Sequence, residues 1–204
     1  MVDVQLRSRQ ITSGGVLEAF SEIPRERFIP SNWQHDAYDD CPVPIGYGQT
    51  ISQPYVVALM VQELHVDRGH RVLDVGAGSG YQTAILARLA RHVYAVERIA
   101  DLAERAMATL TALNVSNVTM CIGDGSLGWP EESPFDRIIC GAACPEAPQP
   151  WLDQLADGGR IVLPAGGQDV QTLIVIERSG DELRRRSLCD VRFVRLIGKE
   201  GWPG

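Results

Sequence analysis

From residue 56 onward the chain alternates between two hydrophobic periods. Residues 56–63, 81–91 and 100–113 carry apolar side chains three to four positions apart, the stripe of a helix packed on a sheet. In residues 81–91, for instance, Ile85, Leu86, Leu89 and Ala90 share one side while Arg88 and Arg91 lie away from it. Between these segments come short, mostly apolar runs at 71–75, 92–96, 118–122, 136–140, 160–163 and 172–177. Runs of that kind read as parallel strands buried on both faces. The order predicts an open α/β sheet with helices on both sides. A last strand is expected at 191–197, joined to its predecessor by a hairpin turn at Asp181-Glu182.

The first 53 residues depart from this pattern, being rich in Pro, Gly and aromatic residues. Val16, Leu17, Phe20 and Ile23 fall on one helical face, and the two prolines of Ile23-Pro24-Arg25-Glu26-Arg27-Phe28-Ile29-Pro30 stop the helix. Residues 42–49 hold too many breakers for a regular element, yet their apolar side chains suggest a loop lying against something.

Composition narrows the class. A chain of 204 residues, 45% hydrophobic and 22% charged, is expected to fold as one globular domain. Nineteen Lys and Arg against 26 Asp and Glu leave a formal charge of -7, which opposes holding many nucleic-acid phosphates. The longest apolar run, residues 55–61, is far short of the ~20 needed to span a bilayer. The polar start lacks a secretory signal, so a cytoplasmic location is expected. Five scattered cysteines without a Cys-x-x-Cys pair fit free thiols, and no histidine has a partner at metal-ligand spacing. No metal and no membrane partner are expected.

The chemistry is written at Arg71-Val72-Leu73-Asp74-Val75-Gly76-Ala77-Gly78-Ser79-Gly80-Tyr81, a buried strand running into a glycine-rich turn that opens a helix. Without Cβ atoms the main chain there can pass under a ligand and present its N–H groups. Glu97 ends the next strand, where a carboxylate can accept from both hydroxyls of a ribose. Glycines at 76, 78 and 80, with Tyr81 where a dinucleotide fingerprint needs its third glycine, favour S-adenosyl-L-methionine, which has no pyrophosphate. Asp124, in Gly123-Asp124-Gly125 after the following strand, could accept an adenine amino group beside the N–H of Gly125, or simply form a turn.

With those residues in view the sequence resembles the protein-L-isoaspartate (D-aspartate) O-methyltransferases over almost its whole length. The most specific stretch is Gly48-Gln49-Thr50-Ile51-Ser52; Ala37-Tyr38-Asp39-Asp40, Pro134-Phe135-Asp136 and Gly141-Ala142-Ala143 also look like the family. The resemblance implies a class I S-adenosylmethionine-dependent methyltransferase, a Rossmann-like, mostly parallel sheet of seven strands with an N-terminal helical extension. Residues 1–53 would be that extension and a lid over substrate and cofactor, and residues 54–204 the core. It implies Ser52 as the active-site residue, Thr50 and Ile51 beside the cofactor with Gly76, Ala77, Gly78, Ser79, Gly80, Glu97, Asp124 and Gly125, and residues 138–147 bordering the substrate pocket. The implied reaction methylates the free α-carboxylate of L-isoaspartyl residues in damaged polypeptides, acting as a monomer, with D-aspartyl acceptors left open. A carboxylate of reference pKa near ~3.5 is already ionised at neutral pH, so no general base is needed. Ser52 then reads as an orienting donor, though taken alone it reads equally as the N-cap of the helix from Pro54.

Overall fold

The computed structural model describes residues 1–204. Its centre is a seven-stranded sheet built from β3 (Arg71–Val75), β4 (His92–Glu97), β5 (Val118–Ile122), β6 (Phe135–Cys140), β7 (Leu155–Gly166), β8 (Gln171–Ser179) and β9 (Glu182–Val191), in the order β5-β4-β3-β6-β7-β8-β9. Strands β3 to β7 run parallel; β8 runs against them, and β9, antiparallel to β8, returns to their direction. The chain order reverses between β4 and β6 at β3, and a crevice forms outside the carboxyl ends of strands at such a switch point.

Side-chain alternation divides the core into two layers. Val72, Val93, Ile139, Val162 and Val175 face a layer with the N-terminal segment and the helices α1 (Gly14–Glu22), α2 (Pro54–Leu64), α3 (Tyr81–Leu89) and α4 (Ala100–Ala112). Their neighbours Leu73, Val75, Val96, Ile138 and Ile161 face the opposite layer, built around Phe135 and Trp151 with the short helix α5 (Gln149–Gln154). Alternation survives inside apolar runs because both faces are covered.

Three sequence expectations change. Residues 43–51 are not a loop but a hairpin, β1 (Val43–Gly46) and β2 (Gln49–Ile51), in which Gly46 pairs with Gln49. Tyr47 at φ 55° and Gly48 at φ 69° form its two-residue turn, both in the left-handed region that such a hairpin requires. The missing N–H of Pro44 is tolerated because this is a free-standing two-stranded ribbon. Val43, Ile45 and Ile51 are buried in the first layer, which is what their apolar character signalled.

The last strand lies at β9, not at 191–197, and its turn is Gly180-Asp181, one residue earlier than expected. β9 is an edge strand exposed along most of its length, so it shows no apolar signature. The apolar residues after it are buried by leaving the sheet: Ala143 N–H donates to Val194 O at 2.7 Å and Leu196 N–H to Ala143 O at 2.7 Å, tying this segment to the loop after β6. Helix α5 was also not legible, being six residues long with a proline in its first turn.

Candidate active site

The turn from β3 to α3 is shaped by Gly76, Gly78 and Gly80 at φ 74°, 56° and 85°. Gly76 and Ala77 N–H donate to Val96 O, while Gly78 N–H, at 2.8 Å, donates to Oε2 of Glu97. The other Glu97 oxygen accepts from Ile99 N–H at 2.9 Å. The buried Glu97 carboxylate thus fastens the glycine turn to the end of β4 with two of its roughly four acceptor positions, and two remain.

Gly141 follows β6 and donates its N–H to Val75 O at 2.8 Å. It lies against the Gly76 backbone, where an added Cβ would come within 3.0 Å of Gly76 O. Across from them comes the β1–β2 hairpin, with Ile45 in contact range of Gly78. Tyr47 donates its hydroxyl to Asp101, and Arg105 Nη2 donates to Ile45 O at 3.2 Å, so α4 holds the hairpin over the glycine turn.

Three adjoining cavities result. One holds Thr50, Gly76, Gly78, Glu97 and Gly125 under the segment Val194, Arg195, Leu196 and Ile197. A second, between the glycine turn and β2, is lined by Thr50, Ile51, Ser52, Ala77, Ser79 and Tyr81. The third opens to solvent with a volume of about 530 Å³ among Ser52, Val56, Val170, Asp190, Arg192 and Phe193. Thr50 and Gly141 line all three, and Ser52 lines the second and third.

Of the residues singled out in the sequence, Ser52, Thr50, Ile51, Gly76, Ala77, Gly78, Ser79, Glu97 and Gly125 therefore converge on one cleft. Gly80 does not line it. That glycine caps α3 with its α-hydrogens against α4, where a Cβ would sit 3.0 Å from Ala106 Cβ. Asp124 stands behind the cleft and works as a turn: Oδ1 accepts from Ser126 N–H at 2.9 Å and Ser126 Oγ at 2.6 Å, and Oδ2 from Lys199 N–H at 2.8 Å. Burial alone would raise its pKa, but these hydrogen bonds and the nearby Arg98 hold it below the usual carboxylate range. Trp151 Nε1–H donates to Gly125 O at 2.9 Å, so α5 fixes the cleft side of this turn.

Ser52 is half-buried, and the N-cap of α2 is Gln53, with no side-chain capping bond. The capping role considered for Ser52 is thus not realised: it stands one residue before the cap and lines the second and third cavities. Gly141 falls within residues 138–147, which the resemblance places beside the substrate pocket, whereas the sequence marks residues 194–197 only as part of a strand. Cys140 and Cys144 are buried; burial pushes Cys144 up to about 12 and Cys140 well above its ordinary value, so both pack as neutral thiols at neutral pH.

Asp74, with no exposed surface, lies under the glycine turn and accepts from Gln82 Nε2 at 2.7 Å and Thr83 Oγ1 at 2.6 Å. Burial, with a smaller contribution from Glu97, overrides these bonds and lifts its pKa to about 6. A folded-state pKa above the unfolded value of 3.8 means that the stability it contributes is full below about 3.8 and is lost as pH rises through about 6. Asp74→Asn keeps both bonds, accepting from Gln82 and donating to Thr83, without a buried charge. It should therefore be more stable than the parent at pH 8, by on the order of 2 kcal/mol, with no advantage at pH 4. Urea unfolding at the two pH values checks this; equal differences at both would contradict it.

Against known proteins, the family model described as protein-L-isoaspartate(D-aspartate) O-methyltransferase matches residues 1–201. A protein-L-isoaspartate O-methyltransferase of Methanoregula boonei is 52% identical over 202 residues, covering 99% of this chain and 93% of its own. One from Syntrophobacter fumaroxidans is 48% identical over 204 residues, covering 100% and 95%. Among solved structures, a protein-L-isoaspartate O-methyltransferase from Plasmodium falciparum in complex with S-adenosyl-L-homocysteine superposes with a TM-score of 0.82 at 28% identity, covering 94% of each chain.

Proposed function

This chain belongs to the protein-L-isoaspartate(D-aspartate) O-methyltransferase family, and from that premise we propose how its cleft transfers a methyl group from S-adenosyl-L-methionine to the free α-carboxylate of an L-isoaspartyl residue. The observation that carries the reading is the meeting of the cavities at Thr50, Ser52 and Gly141, with Glu97 at one end and solvent at the other. Such a passage suits a small cofactor held inside and a polypeptide acceptor reaching in from outside.

The residues fit the cofactor. The two free acceptor positions of Glu97 match two ribose hydroxyls, and the positive-φ glycines leave room for a ligand against the backbone. Asp124, behind the cleft, shapes the turn that presents Gly125 to it. Thr50, Ile51, Ala77 and Ser79 would enclose the amino-acid end, with residues 1–53 as the lid and residues 54–204 as the core of one domain. When bound, S-adenosyl-L-methionine supplies an electrophilic methyl group on a positively charged sulfur.

Ser52 donates its hydroxyl to the acceptor carboxylate and holds it in line, adding no charge that would weaken it as a nucleophile. No histidine or lysine lines the three cavities; their carboxylates are Glu97, which accepts from two backbone N–H groups, and Asp190, in the cavity that opens to solvent. An acceptor that is ionised before it arrives asks neither of them to take a proton. Closure of the resulting ester to a succinimide, and its hydrolysis, returns some normal aspartyl linkage and so starts repair.

A formal charge of -7 favours a polypeptide over a nucleic-acid acceptor, and the monomer expected from the sequence is kept as part of this reading. No helix is long and apolar enough to cross a membrane. The test is methyl transfer from labelled S-adenosyl-L-methionine to two peptides differing only in one L-isoaspartyl or L-aspartyl linkage. The isoaspartyl peptide alone should be labelled; equal labelling, or none, would overturn the assignment of the acceptor.

A further inference from the structure

Arg25 has no exposed surface and no carboxylate partner. Its Nε–H donates to Ala37 O at 2.8 Å and its Nη2–H to Ser52 O at 2.8 Å, while the guanidinium lies 4.9 Å from the centre of the Tyr81 ring. Nη1 of Arg25 and the hydroxyl of Tyr81 are both buried without a partner. A lone cation in such a place stabilises little on its own account, since the cost of desolvating it offsets much of what its hydrogen bonds contribute. Its two directed bonds are what distinguish it.

One of those bonds ends on the turn that carries Ser52. Ser52 lies between β2, where Ile51 pairs with Val43, and α2, whose first turn uses Gln53 O to accept from Val57 N–H. The Ser52 carbonyl belongs to neither ladder nor helix, and Arg25 is what fixes it. The same guanidinium packs on Tyr81, the first residue of the helix opened by the glycine turn, whose ring is wedged between Phe20 and Phe28 at 5.8 and 5.6 Å. One side chain therefore joins the N-terminal segment, the turn bearing Ser52 and the start of α3.

We propose that Arg25 is a positioning residue for methyl transfer: by clamping the Ser52 carbonyl it sets the peptide plane there and aims the Ser52 hydroxyl at the acceptor carboxylate. The inference rests on the orienting role of Ser52. Lysine cannot replace the fork, because one ammonium on a flexible stem does not hold two carbonyls in fixed directions.

The experiment is a double-mutant cycle on the full-length protein, with Arg25→Met, Ser52→Ala and the double variant, reading kcat, the KM for the isoaspartyl peptide, cofactor affinity and Tm. Arg25→Met should lower kcat by about 10- to 100-fold, as misplacement of a reacting group does, with cofactor affinity within about twofold and a fall in Tm from the two carbonyls left without a donor. In the Ser52→Ala background the same change should cost less than about twofold, because the group that Arg25 aims is gone. Arg25→Lys should recover only part of the activity; it carries the same cycle if Arg25→Met does not fold. A cost as large without the Ser52 hydroxyl as with it, or wild-type kcat for Arg25→Met, would overturn the inference and leave the reading of Ser52 standing. Full activity of Ser52→Ala would overturn both.

Discussion

Replacing Glu97 with alanine should weaken S-adenosyl-L-methionine binding by about 100-fold while leaving the fold in place. Glu97 is buried at the end of β4 and its two oxygens accept from Gly78 and Ile99 N–H at 2.8 and 2.9 Å. The substitution removes the carboxylate that faces the ribose and also frees the glycine turn that forms the floor of the cleft. Hydrogen bonds to a charged group contribute about 1.5–3 kcal/mol each, so the loss of even two at the ligand amounts to roughly 3 kcal/mol or more, the equivalent of about two decades in affinity. Glu97→Gln should fall between, keeping an acceptor but setting an amide N–H against a backbone N–H. Titration calorimetry with the cofactor measures the effect. A dissociation constant within threefold of the parent for Glu97→Ala would remove Glu97 from the binding site.

The second large effect falls on rate. Ser52→Ala should lower kcat for an isoaspartyl peptide by about 10- to 100-fold, with cofactor affinity unchanged, since it removes a donor that holds the nucleophile in line. Ser52 lines the cavities and caps no helix, so the loss of its hydroxyl should alter stability by no more than about 0.5 kcal/mol. A drop in rate without a drop in Tm separates orientation from folding. If kcat holds and only the KM for the peptide rises, Ser52 contributes to binding and not to alignment.

The interior of the parallel sheet was legible because its strands are covered on both sides, as Arg71–Val75 is. The edge strand Val118–Ile122 has no fully buried residue yet also falls where its apolar run put it, and α4 ends within a residue of its stripe. What escaped were elements whose residues answer to something other than sheet burial. The β1–β2 hairpin depends on Tyr47 at positive φ, an uncommon conformation for a non-glycine residue, held by the Asp101 contact across from α4. β9 is stabilised on one edge only and is exposed, while residues 191–197 are apolar because they cover the loop after β6.

The candidate site was readable to the extent that it is local. Gly76, Gly78 and Glu97 follow from one βαβ unit, and their geometry is set within it. Residues 194–197 reach the cleft, and Arg25 reaches Ser52, through long-range contacts that no local spacing encodes. Asp124 shows how a carboxylate that suits a ligand can be taken up by a turn instead.

The central claim is that cofactor and acceptor meet at Thr50, Ser52 and Gly141. A crystal structure of the protein with S-adenosyl-L-homocysteine and an L-isoaspartyl peptide tests it most directly. The account predicts the ribose hydroxyls on the Glu97 carboxylate and the peptide's α-carboxylate accepting from Ser52 Oγ at the junction of the cavities. A peptide whose carboxylate lies elsewhere, with Ser52 bonded to neither ligand, would contradict it.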